Sequence, residues 1–241
     1  MLAGLIDHAA LFPPAGMSLP DALDEDRQAR ESEYAWMLGR FVVPASRLGE
    51  LPDDSPALSV VLDSVDDAEL VAGAAGVEAV ELALPSARPK SADLVAAHFA
   101  LRPLGVETYY ELVLDESWRD SVPAAIGAVT AVGGRVKLRC GGASIPSIEQ
   151  VALVIASCRE AGVPFKATAG LHHPIRRGDE HGFLNLLAAA SAPAGRLEEA
   201  LAEEDPAALE IDASSRDLFA GFGSCSWREP VDGLRALGLL S

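Results

Sequence analysis

Short apolar runs alternate along the chain with longer stretches that are rich in alanine and leucine. The short runs are hydrophobic almost throughout, as is usual for strands that are buried on both faces. They predict eight strands, at residues 5–7, 41–44, 58–63, 79–84, 108–114, 135–139, 164–168 and 218–223. Strands that alternate with helices in this way predict a parallel sheet with crossover helices.

The stretches between the predicted strands contain residues that typically start and end helices. A serine precedes a helix because its hydroxyl accepts a hydrogen bond from the first turn, and a glycine often follows the last turn. The serines are Ser18, Ser91 and Ser147, and the glycines are Gly105, Gly133, Gly134 and Gly162. Eight such units without a linker predict an α/β fold, a single (β/α)8 TIM barrel in one domain over residues 1–241. An open dinucleotide-binding sheet is disfavoured because no GxGxxG follows the first strand.

The longest irregular segment follows the seventh predicted strand, at residues 171–217. It begins with HHPIRRGDEHG and continues with an apolar helix at 183–190 and an acidic helical stretch at 197–204. Loops that follow barrel strands lie on the face where barrel enzymes bind their substrates. We therefore expect an extended loop–helix insertion beside the binding face.

The composition narrows the class of protein. With 49% hydrophobic and 23% charged residues, the chain has the balance of a globular protein and not that of a disordered one. No apolar run approaches the roughly 20 residues that cross a bilayer, and a net charge of −17 disfavours binding to nucleic acid or membranes. The N-terminal segment lacks the basic region of a signal peptide, and three scattered cysteines predict no disulfide framework. These features predict a cytoplasmic protein.

Lysine occurs inside two of the predicted strands, as Lys137 in RVKLR and Lys166 in FKAT. A lysine in a barrel interior must be paired, hydrated or functional, because burying an ammonium ion costs several kcal/mol. The predicted strands also carry Asp7, Glu81 and Glu111 towards the same volume, where they supply counter-charges and candidate proton carriers. Two neighbouring cations lower each other's pKa, which makes an amine a nucleophile near neutral pH.

Seven segments, in order along the chain, resemble the strand motifs of one enzyme family. LIDHAALFPP is similar to an opening Ile-Asp-His-Thr-Leu-Leu-x-Pro, and FVVPASRL, VEAVELAL and YYELVL are similar to the second, fourth and fifth strands. RVKLRCGG resembles a Val-Lys-Thr-Ser-Thr-Gly strand, PFKATAGLHHPIR a Val-Lys-Ala-Ser-Gly-Gly-Val-Arg strand, and GFGSCS a closing Arg-Phe-Gly-x-Ser-Ser. The family is deoxyribose-phosphate aldolase, a class I or Schiff-base aldolase. The resemblance covers nearly the whole chain.

The resemblance implies a role for each matched residue. Lys137 falls on the imine-forming lysine, and Lys166 falls on the lysine that lowers its pKa. Glu81 falls on the fourth-strand aspartate that assists proton transfer, and Asp7 falls on the first-strand aspartate. The residues that fall on the phosphate-binding rim are Gly141, Gly170, Gly223 and Ser226.

Several departures from the family pattern surround the matched lysines. Ala169 replaces one glycine of a pair, His172 replaces the arginine after the pair, and Cys225 replaces one of two closing serines. Arg139 stands where the family has a small polar residue. With Arg139, the residues available to hold an anionic group are His172, His173 and Arg176. We therefore predict an aldolase-type lyase that acts on a small anionic carbonyl compound and needs no cofactor or metal. The sequence does not distinguish a monomer from a homo-oligomer.

Two other functions remain open at this stage. His8, His172, His173 and His181, with Asp7 or Glu81, are a candidate ligand set for a metal-dependent isomerase or lyase. The chain is alternatively a non-catalytic barrel that binds a small anion, with its mouth plugged by residues 171–217. In that case both lysines are structural and are held in ion pairs with Glu81 or Glu111.

Overall fold

Eight parallel strands close into a barrel, and their order around the barrel is their order along the chain. The structure is a computed structural model that describes residues 1–240. The predicted barrel is confirmed, and every predicted strand overlaps an observed one. The strands are β1 (Ile6–His8), β2 (Leu38–Pro44), β3 (Leu58–Leu62), β4 (Val77–Ala83), β5 (Glu107–Glu111), β6 (Arg135–Arg139), β7 (Phe165–Thr168) and β8 (Phe219–Ser224).

Helices follow the strands with one exception. They are α1 (Leu19–Glu31), α2 (Ala68–Ala72), α3 (Ser91–Leu101), α4 (Trp118–Ala131), α5 (Ile148–Ala161), α6 (Phe183–Ser191), α7 (Leu197–Ala202), α8 (Ser215–Leu218) and α9 (Arg228–Ala236). Between β2 and β3 the chain forms only a 3-10 helix, Ala45–Glu50. The segment is short, and Gly49 and Pro52 disfavour a longer helix there.

The helix ends follow most of the signals in the sequence. Ser18 and Ser147 cap α1 and α5, and the Gln150 side chain completes a capping box with Ser147. Gly162 ends α5 in the left-handed conformation, with φ of 64°. Helix α3 differs slightly from its prediction, since Lys90 is its cap and Ser91 is its first residue. Each cap marks where its helix begins or ends.

The apolar core lies between the strands and the surrounding helices. On β6 and β7 the outward-facing side chains Val136, Leu138, Phe165 and Ala167 are buried in this core. The residues that alternate with them on these strands face the barrel interior, because successive side chains on a strand point to opposite faces. The interior of this barrel is therefore partly polar, although barrel interiors are usually filled by branched apolar side chains.

The predicted insertion after β7 forms helices α6 to α8. Helix α6 is buried and packs against α7, α8 and β8, while α7 packs against α5. Most of the insertion therefore extends along the outside of the barrel and does not close its mouth. Among residues 1–240, no helix is both long enough and apolar enough to span a membrane.

Candidate active site

Two of the three lysines in the chain lie together inside the barrel. Lys137 on β6 and Lys166 on β7 are register partners on adjacent strands. Their exposed fractions are 6% and 2%, whereas the third lysine, Lys90, is on the surface. Both side chains lie on the inner face of the barrel, as the alternation of residues along the strands predicts. An amine in this position must be neutralised or reactive, because an isolated buried charge is too costly.

Glu81 on β4 lies between the two amines and binds both of them. Its Oε2 is 2.8 Å from Lys137 Nζ, and its Oε1 is 2.6 Å from Lys166 Nζ. Ser59 on β3 donates a third hydrogen bond to Oε1, also at 2.6 Å. All four side chains are buried. Each carboxylate oxygen of Glu81 therefore holds one ammonium group, and Glu81 fixes how the lysines sit relative to each other.

Two further carboxylates extend this charge network in opposite directions. Glu111 Oε2 lies 2.7 Å from Lys137 Nζ, and its Oε1 accepts a hydrogen bond from Arg139 Nε at 3.2 Å. Asp7 Oδ2 lies 2.6 Å from Lys166 Nζ, and its Oδ1 accepts a backbone hydrogen bond on β2. Lys137, Lys166 and Arg139 thus balance Asp7, Glu81 and Glu111, three cations against three carboxylates.

The pKa shifts follow from this pairing. Burial by itself would raise the pKa of Glu81, but Lys166 and Lys137 outweigh it and hold this pKa well below its usual range. Burial likewise opposes the charge on Glu111, yet Lys137 and Arg139 lower its pKa. For Lys166, burial alone would lower the pKa, but Asp7 and Glu81 raise it above its ordinary value. Lys166 therefore remains a cation at neutral pH. We expected neighbouring lysines to lower each other's pKa, but the pKa of Lys166 is raised.

A cavity of about 830 Å3 opens at the C-terminal ends of the strands. Lys137, Glu81, Glu111 and Arg139 lie in its wall, together with the residues that follow β7 and β8. Only Leu171, His172 and Glu180 of the insertion contribute to this wall. Both lysines are ion-paired, as in a non-catalytic barrel, but the mouth is not plugged. Lys137 is thus accessible to a small molecule that enters from this side.

Lys166 and Asp7 lie instead on the wall of a second cavity, of about 480 Å3, at the N-terminal ends of the strands. Tyr109 and Arg135 line the same cavity, and Lys166 Nζ is 5.3 Å from the centre of the Tyr109 ring. The two lysines therefore differ in access. Glu81 separates them, with Lys137 on the side of the larger cavity.

The other residues predicted to bind substrate divide into two groups. Residues on the wall of the larger cavity are Arg139, Gly141, Gly170, His172 and Gly223. His173, Arg176 and Ser226 are not part of that wall. His173 pairs with Glu180 at 3.4 Å, and the Arg176 guanidinium lies 3.5 Å from His181. The structure thus brings Arg139 and His172 to the cavity but leaves His173 and Arg176 outside its wall.

The loops after β6 and β7 touch at two glycines. A Cβ built on Gly141 would lie 2.7 Å from the Gly170 Cα, which leaves no room for any side chain at this crossing. Ala169, which precedes Gly170, adopts a φ of 61° and lies in the cavity wall. An alanine in the left-handed region is strained, because its Cβ approaches the following carbonyl oxygen.

Replacing Ala169 with glycine is expected to stabilise the protein by about 0.5–1 kcal/mol, since the relief of strain exceeds the added entropy of the unfolded chain. Urea unfolding of the wild type and of Ala169→Gly measures the difference. Ala213→Gly is the matched control, because Ala213 is an exposed turn residue outside the left-handed region. This control should destabilise the protein slightly. A loss of stability in Ala169→Gly would contradict the prediction.

The histidines do not converge as a shared metal site. Each has a different neighbour: Asp26 for His8, Glu229 for His172, Glu180 for His173 and the Pro146 carbonyl for His181. His8 is fully buried and contacts Asp26 of α1, outside the barrel. Within residues 1–240, no group of three or more His, Cys, Asp or Glu side chains is arranged to hold a metal ion. The metal-dependent alternative thus lacks its expected ligand set.

Sequence reasoning missed Ser59. It is a lone hydroxyl in the apolar strand LSVVL, at a position that alternation places on the inner face, so its polarity was a usable signal.

Comparisons with known proteins identify the fold. No protein-family model and no curated protein matches the chain. A structure described as a candidate deoxyribose-phosphate aldolase from Coccidioides immitis is 16% identical, with a TM-score of 0.63 over 97% of this chain and 85% of that chain. The deoxyribose phosphate aldolase from Aeropyrum pernix, described as tetrameric, is 14% identical, with a TM-score of 0.60 over 98% and 92%.

A third structure, described as an aldolase, is 15% identical, with a TM-score of 0.57 over 99% of this chain and 97% of that chain. All three likenesses cover nearly the entire barrel. At this level of identity they establish a common fold, and a shared barrel does not by itself determine a shared reaction.

Proposed function

We propose that the protein is a class I aldolase-type lyase in which Lys137 forms an imine with a small anionic carbonyl compound. One observation carries this proposal: Lys137 alone among the three lysines reaches the larger cavity and is at the same time held between two carboxylates. The fold neighbours that are described as aldolases support the reaction class. The strand motifs, which match both lysines in order, support the choice of Lys137.

In the proposed reaction the Lys137 nitrogen adds to the carbonyl carbon, and the carbonyl oxygen leaves as water. The bond between the α and β carbons then breaks, and its electron pair is accepted by the iminium, which becomes an enamine. The hydroxyl on the departing carbon loses its proton and becomes the carbonyl of the first product. The enamine that remains is protonated and hydrolysed, which releases the second product and restores the amine.

Proton transfer in this scheme falls to Glu81 and Glu111, the two carboxylates bonded to the Lys137 amine. Their pKa values are lowered by the neighbouring cations, so both are ionised before substrate binds. When the Lys137 ammonium loses its proton, each carboxylate loses one of its counter-charges and becomes a better base. Lys166 remains protonated beside Glu81 and keeps the second oxygen occupied. Glu81 is therefore held in place by Lys166, whereas the contact between Lys137 and Glu111 is the one that can change during the reaction.

The anionic part of the substrate is assigned to Arg139. Its side chain is about half exposed at the cavity mouth and has its Nε on Glu111. A guanidinium can hold a carboxylate or a phosphate through two parallel hydrogen bonds. His172, across the mouth, adds a second positive charge, since its pKa is raised to about 9 by its hydrogen bond with Cys225 and by Glu229.

Borohydride trapping tests this proposal. The protein is incubated with a panel of small aldehydes and ketones, with and without a carboxylate or phosphate group, and then reduced. We expect a stable adduct on the peptide that contains Lys137 and none on the peptide that contains Lys90. Mass spectrometry can separate these cases cleanly, because the chain has only three lysines.

Lys137→Arg and Lys90→Arg are matched variants for this experiment. Both keep a positive charge, but neither retains the original primary amine at the substituted position. Loss of the adduct in Lys137→Arg, with the adduct intact in Lys90→Arg, supports the proposal. An adduct that persists unchanged in Lys137→Arg, or no adduct with any member of the panel, would overturn it.

A further inference from the structure

The second cavity, the smaller one at the N-terminal ends of the strands, is open to solvent. Its volume of about 480 Å3 is in the range of small-molecule sites. Space is left there because several wall residues at or near the starts of the strands are small, namely Gly4, Gly39, Ala57, Ala220 and Gly221. Gly4 and Glu78 are exposed in this wall, so a solute can enter without passing through the larger cavity.

Two of the three arginines in the wall of the smaller cavity are held in ion pairs. Arg40 lies 3.0 Å from Glu78 and 3.0 Å from Glu107, and Arg135 lies 2.6 Å from Glu107. All four side chains belong to the wall. Two guanidinium groups and two carboxylates balance each other, so this part of the wall is electrically neutral.

The third arginine of the wall, Arg216, has no carboxylate of its own. It is the second residue of α8, just before β8. Its Nη2 donates a long hydrogen bond of 3.4 Å to the Ala3 carbonyl, and its Nη1 is buried without a hydrogen-bond partner. Within residues 1–240 it forms no ion pair. Burial lowers the pKa of this guanidinium, but an arginine in a protein stays protonated, so the charge is retained.

The last two charged residues of the wall, Lys166 and Asp7, do not neutralise Arg216. Asp7 favours the charge on Arg216, but its oxygens are bonded to Lys166 and to the backbone of β2. Both residues are part of the balanced group around Glu81. The wall therefore carries one positive charge in excess, on Arg216. A buried guanidinium nitrogen without a partner is costly, and an oxyanion that accepts two parallel hydrogen bonds removes that cost.

We propose that the smaller cavity is a binding site for a small organic monocarboxylate, whose carboxylate group pairs with Arg216. One negative charge restores neutrality in the wall. A second negative charge is opposed by Asp7, Glu78 and Glu107, which lie in the same wall. The site thus selects a single negative charge. Its ligand need not be a carbonyl compound, and it lies apart from Lys137, so this inference does not rest on the proposed function.

A titration with lactate, followed by two-dimensional NMR of the 15N-labelled protein at pH 7 and constant ionic strength, locates the bound anion. Glycine amides are suitable reporters, because they resonate apart from most other amides. Those of the smaller cavity are Gly4, Gly39 and Gly221, and those of the larger cavity are Gly141, Gly170 and Gly223.

We expect saturable shifts of the amides of the smaller cavity. Saturable shifts that are confined to the amides of the larger cavity, or no saturable shift at all, would overturn the proposal. Lactate has no aldehyde or ketone group, so neither result depends on whether Lys137 forms an imine.

Arg216→Gln and Arg88→Gln are matched variants, since each removes one guanidinium group. Arg88 is 61% exposed, pairs with Asp120 at 3.6 Å and lines neither cavity. We expect Arg216→Gln to raise the dissociation constant for lactate at least about tenfold, the effect of losing one charge-assisted contact. Arg88→Gln should leave it unchanged. An unchanged dissociation constant in a folded Arg216→Gln variant would show that the anion does not pair with this residue.

Glu107→Gln tests the selection for one charge, and it does so even if Arg216→Gln does not fold. The wild type should bind sulfate, a dianion, at least about tenfold more weakly than lactate. Glu107→Gln removes one negative charge from the wall and keeps a hydrogen-bonding side chain beside Arg40 and Arg135. It should therefore bind sulfate more tightly than the wild type does. Equal affinity of the wild type for the two anions, or no gain in sulfate binding in this variant, would contradict the proposed site.

Discussion

Lys137→Met is expected to abolish the exchange of hydrogen for deuterium at the carbon next to the carbonyl group of small aldehydes and ketones. An imine at Lys137 would convert to an enamine, and reprotonation in D2O would place deuterium at that carbon. Without the amine, the exchange rate should fall at least about a thousandfold, to that of the buffer. Proton NMR follows the exchange directly and needs no knowledge of the natural substrate.

Lys90→Met is the control for this experiment, since it removes the surface lysine and leaves the barrel interior unchanged. It should exchange at the wild-type rate. Thermal unfolding of both variants separates loss of chemistry from loss of fold. A folded Lys137→Met variant that still exchanges hydrogen as fast as the wild type would show that the reactive amine is elsewhere or that no imine forms.

Glu81→Ala is expected to destabilise the protein by about 3–5 kcal/mol, the usual cost of removing one partner from a buried ion pair. Glu81 holds Lys137 at 2.8 Å and Lys166 at 2.6 Å, and it is 2% exposed. Its loss leaves Lys166 with Asp7 and Lys137 with Glu111, so each buried ammonium group keeps one partner and loses the other. Unfolding in urea measures the change in free energy.

Glu78→Ala provides the comparison on the same strand. Glu78 pairs with Arg40 at 3.0 Å, but its side chain is 55% exposed. An exposed pair of this kind contributes about 0–1 kcal/mol to stability. Both variants remove one carboxylate, so the difference between their unfolding free energies measures the effect of burial. Equal effects of the two substitutions would contradict the view that Glu81 neutralises a closed interior.

The same two variants are expected to differ in how their stability depends on pH. Because the pKa of Glu81 is lower in the folded protein than in the unfolded chain, its contribution is fully present above the unfolded value of 4.5. That contribution is lost as the pH falls below this value towards the folded pKa. The wild type and Glu78→Ala should therefore lose stability on acidification more steeply than Glu81→Ala does.

The barrel itself could be predicted closely from the sequence, because each strand is a local signal. The apolar run that contains Lys137 predicts the bounds of β6 correctly, and Ser147 with Gln150 marks the start of α5. The 3-10 helix between β2 and β3 was not predicted, since a regular strand–helix alternation gives no warning of one missing helix.

The site could be predicted only as a set of candidates. Strand alternation and parallel register predict that Lys137, Lys166 and Glu81 lie on the inner face of the barrel. That Glu81 binds both amines, and that Asp7 lies with Lys166 at the opposite end of the barrel, did not follow from the sequence. His173 and Arg176 were expected near the substrate and lie outside the cavity wall.

The sequence by itself determined which residues form strands and which side of each strand faces inward, because these depend on periodicity within a few residues. Only the tertiary structure decided which carboxylate neutralises which lysine and which lysine opens to the larger cavity. These choices depend on the tilt and stagger of the closed barrel, which set distances of a few ångströms between strands. Ion pairs and hydrogen bonds form or fail over such distances, and no local pattern in the chain encodes them.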